Sequence, residues 1–256
     1  MNSLWRFQPR ESQIAEQWVG QIFADGVWRI VKPVGSGESG SFEVVRSDGM
    51  RGYAKPAFQA GTNVPRAAHE KIAADLGFKL KIPIPPSVLW KDGANGLFSI
   101  SLSAFRQPIT WQQAMPIITQ KFFDNASTIL AAGLVLHSWI GDSDHNNHPG
   151  NIVVDAECSE DVPSIAFIDH AFSMSHSWNC ANHTVTRISP YYFIGTSTPL
   201  QSHFEAAVRR IEVLADADIE EVVRRIPDLY LEESRANIIV ENLIQRRADL
   251  VRCFGV

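Results

Sequence analysis

Residues 141–155 read GDSDHNNHPGNIVVD, and a second polar stretch after an apolar run follows at 164–173, SIAFIDHAFS. The first eleven positions hold Asp142, Asp144, His145, His148 and the asparagines 146, 147 and 151, directly after the nearly continuous apolar run ASTILAAGLVLHSWI at 126–140. That run is too short to span a bilayer and reads as a buried helix. A carboxylate placed after an apolar strand, such as Asp169, is costly to bury unless a cation or strong donors meet it. With Asn151 at the start of the strand-like NIVVD, Asp169 offers hard oxygen ligands of the kind magnesium prefers. The competing metal reading takes His145, His148 and His170 with Asp142 or Asp144 as a zinc or non-haem iron site. HNNH lacks the i,i+4 helical pair of a zinc protease, and neither the three cysteines nor an HxE deaminase motif supports a metal centre there, so histidines that hydrogen-bond and shape the loop are the favoured reading.

Working toward the N-terminus, VWRIVKPVGSGESGSFEVVRSDGMRGYAKPAF at 27–58 reads as three antiparallel strands, with a glycine-rich turn and a tight turn at Asp48-Gly49. The loop GSGESGS at 35–41 either is a plain hairpin loop or presents backbone N–H groups to phosphate oxygens. It is not a Walker sequence, because no Gly-Lys-Ser/Thr follows and a strand comes next. Lys55, in the third strand, suits phosphate binding if a carboxylate positions it. Glu70, in the helix expected from Pro65 to a stop at Gly77, is the candidate. Residues 11–24 are expected to form an opening helix, and two further strands follow the extending Pro83, Pro85 and Pro86. After the central motifs come amphipathic helices near 202–216 and 232–250, joined by a short helical or turn segment.

Bulk composition excludes several classes. The 256 residues carry a formal net charge of -5, with 20% charged and 45% hydrophobic residues, which gives no basic surface for nucleic acid. Three cysteines, Cys158, Cys180 and Cys253, form no CxxC pair and suit a reducing compartment. No run of 18 apolar residues occurs, so neither a membrane span nor a standard secretion signal is expected, and the cytoplasm is the expected location.

The order of glycine loop, Lys55, Glu70, polar loop and Asp169 resembles the protein-kinase-like fold, in its HipA-like and phosphoinositide-kinase-like branches. GDSDHNNHPGNIVV and FIDHAFS are similar to a small stand-alone HipA-like kinase group, in which a DRHxGN-type segment precedes an IDH-type segment. The resemblance covers about residues 28 to 245. It implies an α+β fold of two lobes, a strand-rich nucleotide-binding lobe at 1–105 and a mainly helical catalytic lobe at 106–256, forming one bilobal unit.

The resemblance further implies phosphoryl transfer from ATP with magnesium. The backbone around Gly35, Ser36, Gly37, Gly40 and Ser41 would cover the phosphates, and Lys55 would contact them and pair with Glu70. Asp144 would accept the acceptor proton, with Asp142 as a second candidate base, and Asn151 and Asp169 would hold the metal. A protein serine or threonine is the expected acceptor, and an antitoxin-like or regulatory protein the expected kind of partner. The chain is shorter than full-length HipA and is expected to lack its additional N-terminal region, so toxin status is not transferred.

One departure matters. The family pattern places the catalytic aspartate five positions before the asparagine, whereas Asp144 and Asn151 are seven apart, and counting back five reaches Asn146. Two readings follow: an inserted loop that keeps Asp144 in place, or a displaced base in a nucleotide-binding pseudokinase or regulatory protein. A misplacement of about 1 Å can cost roughly 100-fold in rate.

Overall fold

Asp48 and Gly49 turn the chain between its second and third strands, with the Asp48 carboxylate accepting from the Met50 amide at 3.2 Å and Gly49 at φ 91°. The computed structural model describes residues 16–34, 40–93, 96–146, 148–175, 177–179, 184–187 and 199–256. Strands β1 (Trp28–Pro33), β2 (Phe42–Arg46), β3 (Arg51–Pro56), β4 (Ser87–Asp92) and β5 (Gly96–Leu102) form one antiparallel sheet in the order β1-β2-β3-β5-β4. Residues 16–20 are helical, but 21–24 leave the expected opening helix. There the backbone instead adds to the sheet edge, Ala24 donating to Leu89 and Leu89 to Ile22, both at 2.7 Å.

Helix α1 (Arg66–Leu80) crosses between β3 and β4. It does not stop at Gly77: it continues to Leu80, and Lys81 at φ 57° ends it by donating to Gly77 and Phe78. Gly77 serves packing instead, because a Cβ there would meet Ile84 Cδ1 at 2.9 Å. The side chains from Arg66 to Gly77 are all buried. An α-helix hidden on nearly all sides must serve more than one neighbour.

The second sheet is small, β6 (Pro108–Thr110), β7 (Ile152–Asp155) and β8 (Ile165–Phe167), in the order β6-β7-β8. Short helix α2 (Trp111–Ala114) opens with a Thr110–Gln113 capping box, and the long helix α3 (Gln120–Ile140) starts at Thr119, whose hydroxyl accepts from the Phe122 amide at 3.3 Å. Gly141 closes α3 in the left-handed region at φ 67°, donating to His137. That cap turns the chain straight into the polar loop. Helices α4 (Gln201–Glu212), α5 (Asp216–Arg224) and α6 (Glu233–Phe254) complete the chain.

Two apolar clusters account for most of the buried core. One lies on the five-stranded sheet and includes Trp28, Val44, Val88 and Ile100. The larger one runs from Ile72 and Leu76 of α1 through Leu130 and Leu134 of α3 to Ile239 and Leu243 of α6. Helix α1 therefore belongs to the helical core as much as to the sheet. Among the described residues, no helix is long and apolar enough to cross a membrane.

Candidate active site

Lys55 sits on β3 beside Pro56, paired with Ser99 of β5 and one residue past Ala54, where the β2 ladder ends. Its ammonium bonds the Glu70 carboxylate from α1 and lies 2.7 Å from Asp169 Oδ1. The Glu70 and Lys55 side chains are 4% and 12% exposed. Burial alone would lower the lysine, but Glu70 and Asp169 outweigh it and raise its pKa. Burial pushes Glu70 up, with Lys55 opposing and Asp169 adding to the rise. Burial also works against ionised Asp169, yet Lys55 prevails and holds its pKa below the ordinary value. One cation thus serves two carboxylates, and removing the lysine from such a buried set would leave both carboxylates uncompensated, at a cost of about 3–5 kcal/mol.

Asp169 lies two residues past β8 at φ 64°, a left-handed conformation seldom adopted by non-glycine residues and least costly for aspartate and asparagine. The turn aims its carboxylate back at β3. Ile168 donates to the Asn151 carbonyl at 2.8 Å, tying this turn to the end of the polar loop. That loop comprises two 3₁₀ turns, Asp144–Asn146 and Pro149–Asn151. The Asn151 amide donates to Asp144 Oδ2 at 2.9 Å, so the seven-residue separation closes on a direct side-chain contact. His148 Nδ1 is 2.7 Å from the other Asp144 oxygen. The Asn146 side chain and Asn147 lie outside the described residues.

Asp142 is placed differently from Asp144. Its side chain is fully buried, with Oδ1 accepting from the Asp144 amide at 3.2 Å and Oδ2 lying 3.3 Å from His145 Nδ1. That leaves Asp144, 22% exposed, as the accessible carboxylate of the pair. Asp142 shapes the loop from inside.

The histidines that converge are not the set expected from sequence. His148 is exposed on Asp144, while His145 and His170 meet His137 from the last turn of α3. His137 was concealed in the apolar run, and only the i to i+8 step from His137 to His145 across the Gly141 cap hinted at it. His137 and His170 approach through their Nε2 atoms at 3.3 Å, and the His137 and His145 rings stack at 3.8 Å with planes 25° apart. Each ring's lone pair lies in its own plane, and two nearly parallel planes stacked 3.8 Å apart do not meet at an ion held roughly 2.0–2.1 Å from each nitrogen. Burial, together with neighbouring His145, drives His137 and His170 well below the ordinary histidine pKa. For His145 burial acts the same way, but Asp142 and, further off, Asp144 and Asp169 outweigh it and raise the pKa.

Between the sheet and the loop lies a cleft of about 350 Å³. Val34, Ile84, Leu102 and Val153 supply apolar walls, and Lys55, Glu70 and Asp169 supply the charged end. Ser41 and Gly150 also line it. Gly40 is left-handed at φ 58°. Gly35, Ser36 and Gly37 lie outside the described residues. An apolar slot ending in one ammonium and two carboxylates suits a ligand with an apolar part and a charged end.

A strand-rich antiparallel sheet with one buried helix, a helical second part and a charged cleft between them define the protein-kinase-like fold. No protein-family model and no curated protein matches the chain. Among solved structures, the Helicobacter pylori proinflammatory kinase CtkA matches with a TM-score of 0.65 at 12% identity, over 91% of this chain and 96% of that one. The Golgi casein kinase matches with a TM-score of 0.55 at 9% identity, over 99% of this chain and 77% of that one. At such identities the likeness is one of fold.

Proposed function

We propose that this chain is a HipA-like kinase that transfers the γ-phosphoryl group of ATP to a hydroxyl, with a protein serine or threonine as acceptor. The observation that carries the reading is the Lys55 ammonium shared between Glu70 and Asp169 at the charged end of the cleft. Lys55 contacts the phosphates, held in place by Glu70, and Ser41 with the Gly40 backbone closes over them. Asn151 and Asp169 suit magnesium, since the Asn151 amide nitrogen is turned to Asp144, leaving its carbonyl oxygen, and Asp169 offers a carboxylate kept ionised. When bound, that metal neutralises phosphate charge. In the transfer, the acceptor oxygen forms a bond to the γ-phosphorus while the bond to the β,γ-bridging oxygen breaks, ADP leaves, and the acceptor proton passes to Asp144. Asn151 and His148 orient that carboxylate.

Labelled ATP with the purified protein, alone and with candidate protein acceptors, tests the reading. Transfer is expected, and Asp144→Asn should reduce it by at least about 100-fold, the usual size of a general-base contribution, while nucleotide binding persists. The inserted loop motivates a second reading, a nucleotide-binding regulator. MgATP binding without transfer, indifferent to Asp144→Asn, would establish that reading instead.

A further inference from the structure

Glu70 can serve Lys55 only if α1 is held against the cleft, and the far side of α1 carries a second charged cluster away from the cleft. Five residues along a helix correspond to roughly 500°, so Asp75 points about 140° away from Glu70. The Asp75 side chain is 1% exposed and lies 2.9 Å from Lys71 Nζ, and it also bonds Arg225 just beyond α5. The same two cations reach the segment before β1: Lys71 donates to the Trp18 carbonyl at 2.9 Å and Arg225 to the Val19 carbonyl at 2.7 Å. One turn further along, Lys79 lies 2.8 Å from Asp218 and 3.0 Å from Glu221, both on α5.

We propose that Asp75 and Arg225 are positioning residues of the nucleotide site, clamping α1 to α5 so that Glu70 meets Lys55 in the free protein. This rests on the kinase reading above. Three features support a role beyond general stability. The clamp's central carboxylate is buried and satisfied by two cations from different elements. Helix α1 lies in the helical core, where Ile72 and Leu76 pack, so a shift of α5 would carry it. Glu70 and Lys71 are adjacent, so the clamp's lysine and the site's carboxylate share one stretch of backbone. The pairing of Lys55 with Glu70, which a kinase site requires, is thereby built in and needs no partner to bring α1 into place.

The test is a double-mutant cycle on MgATP affinity, measured by calorimetry in the full chain. Wild type, Arg225→Met, Arg225→Lys, Glu70→Ala and the Arg225→Met/Glu70→Ala pair are compared. We expect Arg225→Met to weaken MgATP about tenfold, within the usual range for coupled residues. Arg225→Lys should recover most of this loss, and the double variant should bind no more weakly than Glu70→Ala alone. A general structural role would not make the Arg225 effect vanish when Glu70 is absent. An unchanged affinity in Arg225→Met, or losses that add fully, overturns the clamp. If wild type itself binds no MgATP, it is the kinase reading that fails. Should Arg225→Met fail to fold because the Val19 carbonyl loses its donor, Arg225→Gln, which keeps an N–H donor while removing the charge and leaves Asp75 paired with Lys71, carries the same comparison.

Discussion

Lys71 illustrates what a single buried charge does at the residue scale. Its side chain is fully buried, and burial lowers its pKa from 10.5 to about 8, with Asp75 opposing the shift and Arg225 adding to it. Between those values the unfolded chain binds more protons than the folded one, so the stability this group contributes rises with pH across that window. Below about 8 the ammonium is charged in both states and the contribution is at its lowest. Urea melts of wild type and Lys71→Met should therefore show a stability difference that moves in favour of wild type from pH 7.5 to pH 10. A difference flat in pH would mean that the lysine titrates normally. Asp169 behaves in the same sense, at acid pH. Because its pKa lies below the ordinary 3.8, the stability it contributes is present above that value and lost as pH falls through the folded one.

At the scale of elements, the contact between α3 and β8 controls where Asp169 is delivered. Gly133 on α3 faces Phe167 at the end of β8, and a Cβ there would lie 2.1 Å from Phe167 Cζ. Gly133→Ala must therefore displace either the helix or the strand, an overpacking that typically costs about 1–3 kcal/mol. Thermal melts should show that loss. On the kinase reading, because Asp169 follows Phe167 by two residues, labelled-ATP transfer should fall as well, even where the variant remains folded. Wild-type stability in Gly133→Ala would show that the helix and strand are not in close contact. The Asp142–His145 contact and the His137 stack perform the same kind of work for the polar loop, fixing its inner side while Asp144 stays accessible.

At the scale of the whole molecule, α1 joins the sheet to the helical core, and the larger apolar cluster spans both. A nucleotide in the cleft would bridge β3, α1 and the turn after β8. On the kinase reading, MgATP at about 100 times its Kd should stabilise the fold by about 2.7 kcal/mol. For a chain of this size that raises Tm by roughly 5–10 °C. Differential scanning fluorimetry should show the shift in wild type and lose it in Asp169→Ala. Equal shifts in both proteins would place the ligand elsewhere.

Much of this arrangement was legible in the sequence because it rests on local rules. Alternation and turn residues marked the strands around Asp48-Gly49, apolar continuity marked α3, and polar residues after apolar runs marked Asp144, Asn151 and Asp169 as chemically significant. The order of Lys55, Glu70 and Asp169 resembled a known fold before any contact was visible. What the sequence alone could not decide were contacts between residues far apart along the chain. Gly77 looked like a helix stop because glycine often is one, but the approach of Ile84 made it a packing position. Asp142 and Asp144 were equivalent as letters, and only burial separated them. His137 was hidden by its apolar neighbours, and Arg225 carried no motif at all, because its partner Asp75 is 150 residues away. Sequence by itself determined most of the elements and the candidate chemistry, since those depend on neighbours a few residues apart. Only the tertiary structure decided which charges meet, because burial and pairing are properties of the packed chain.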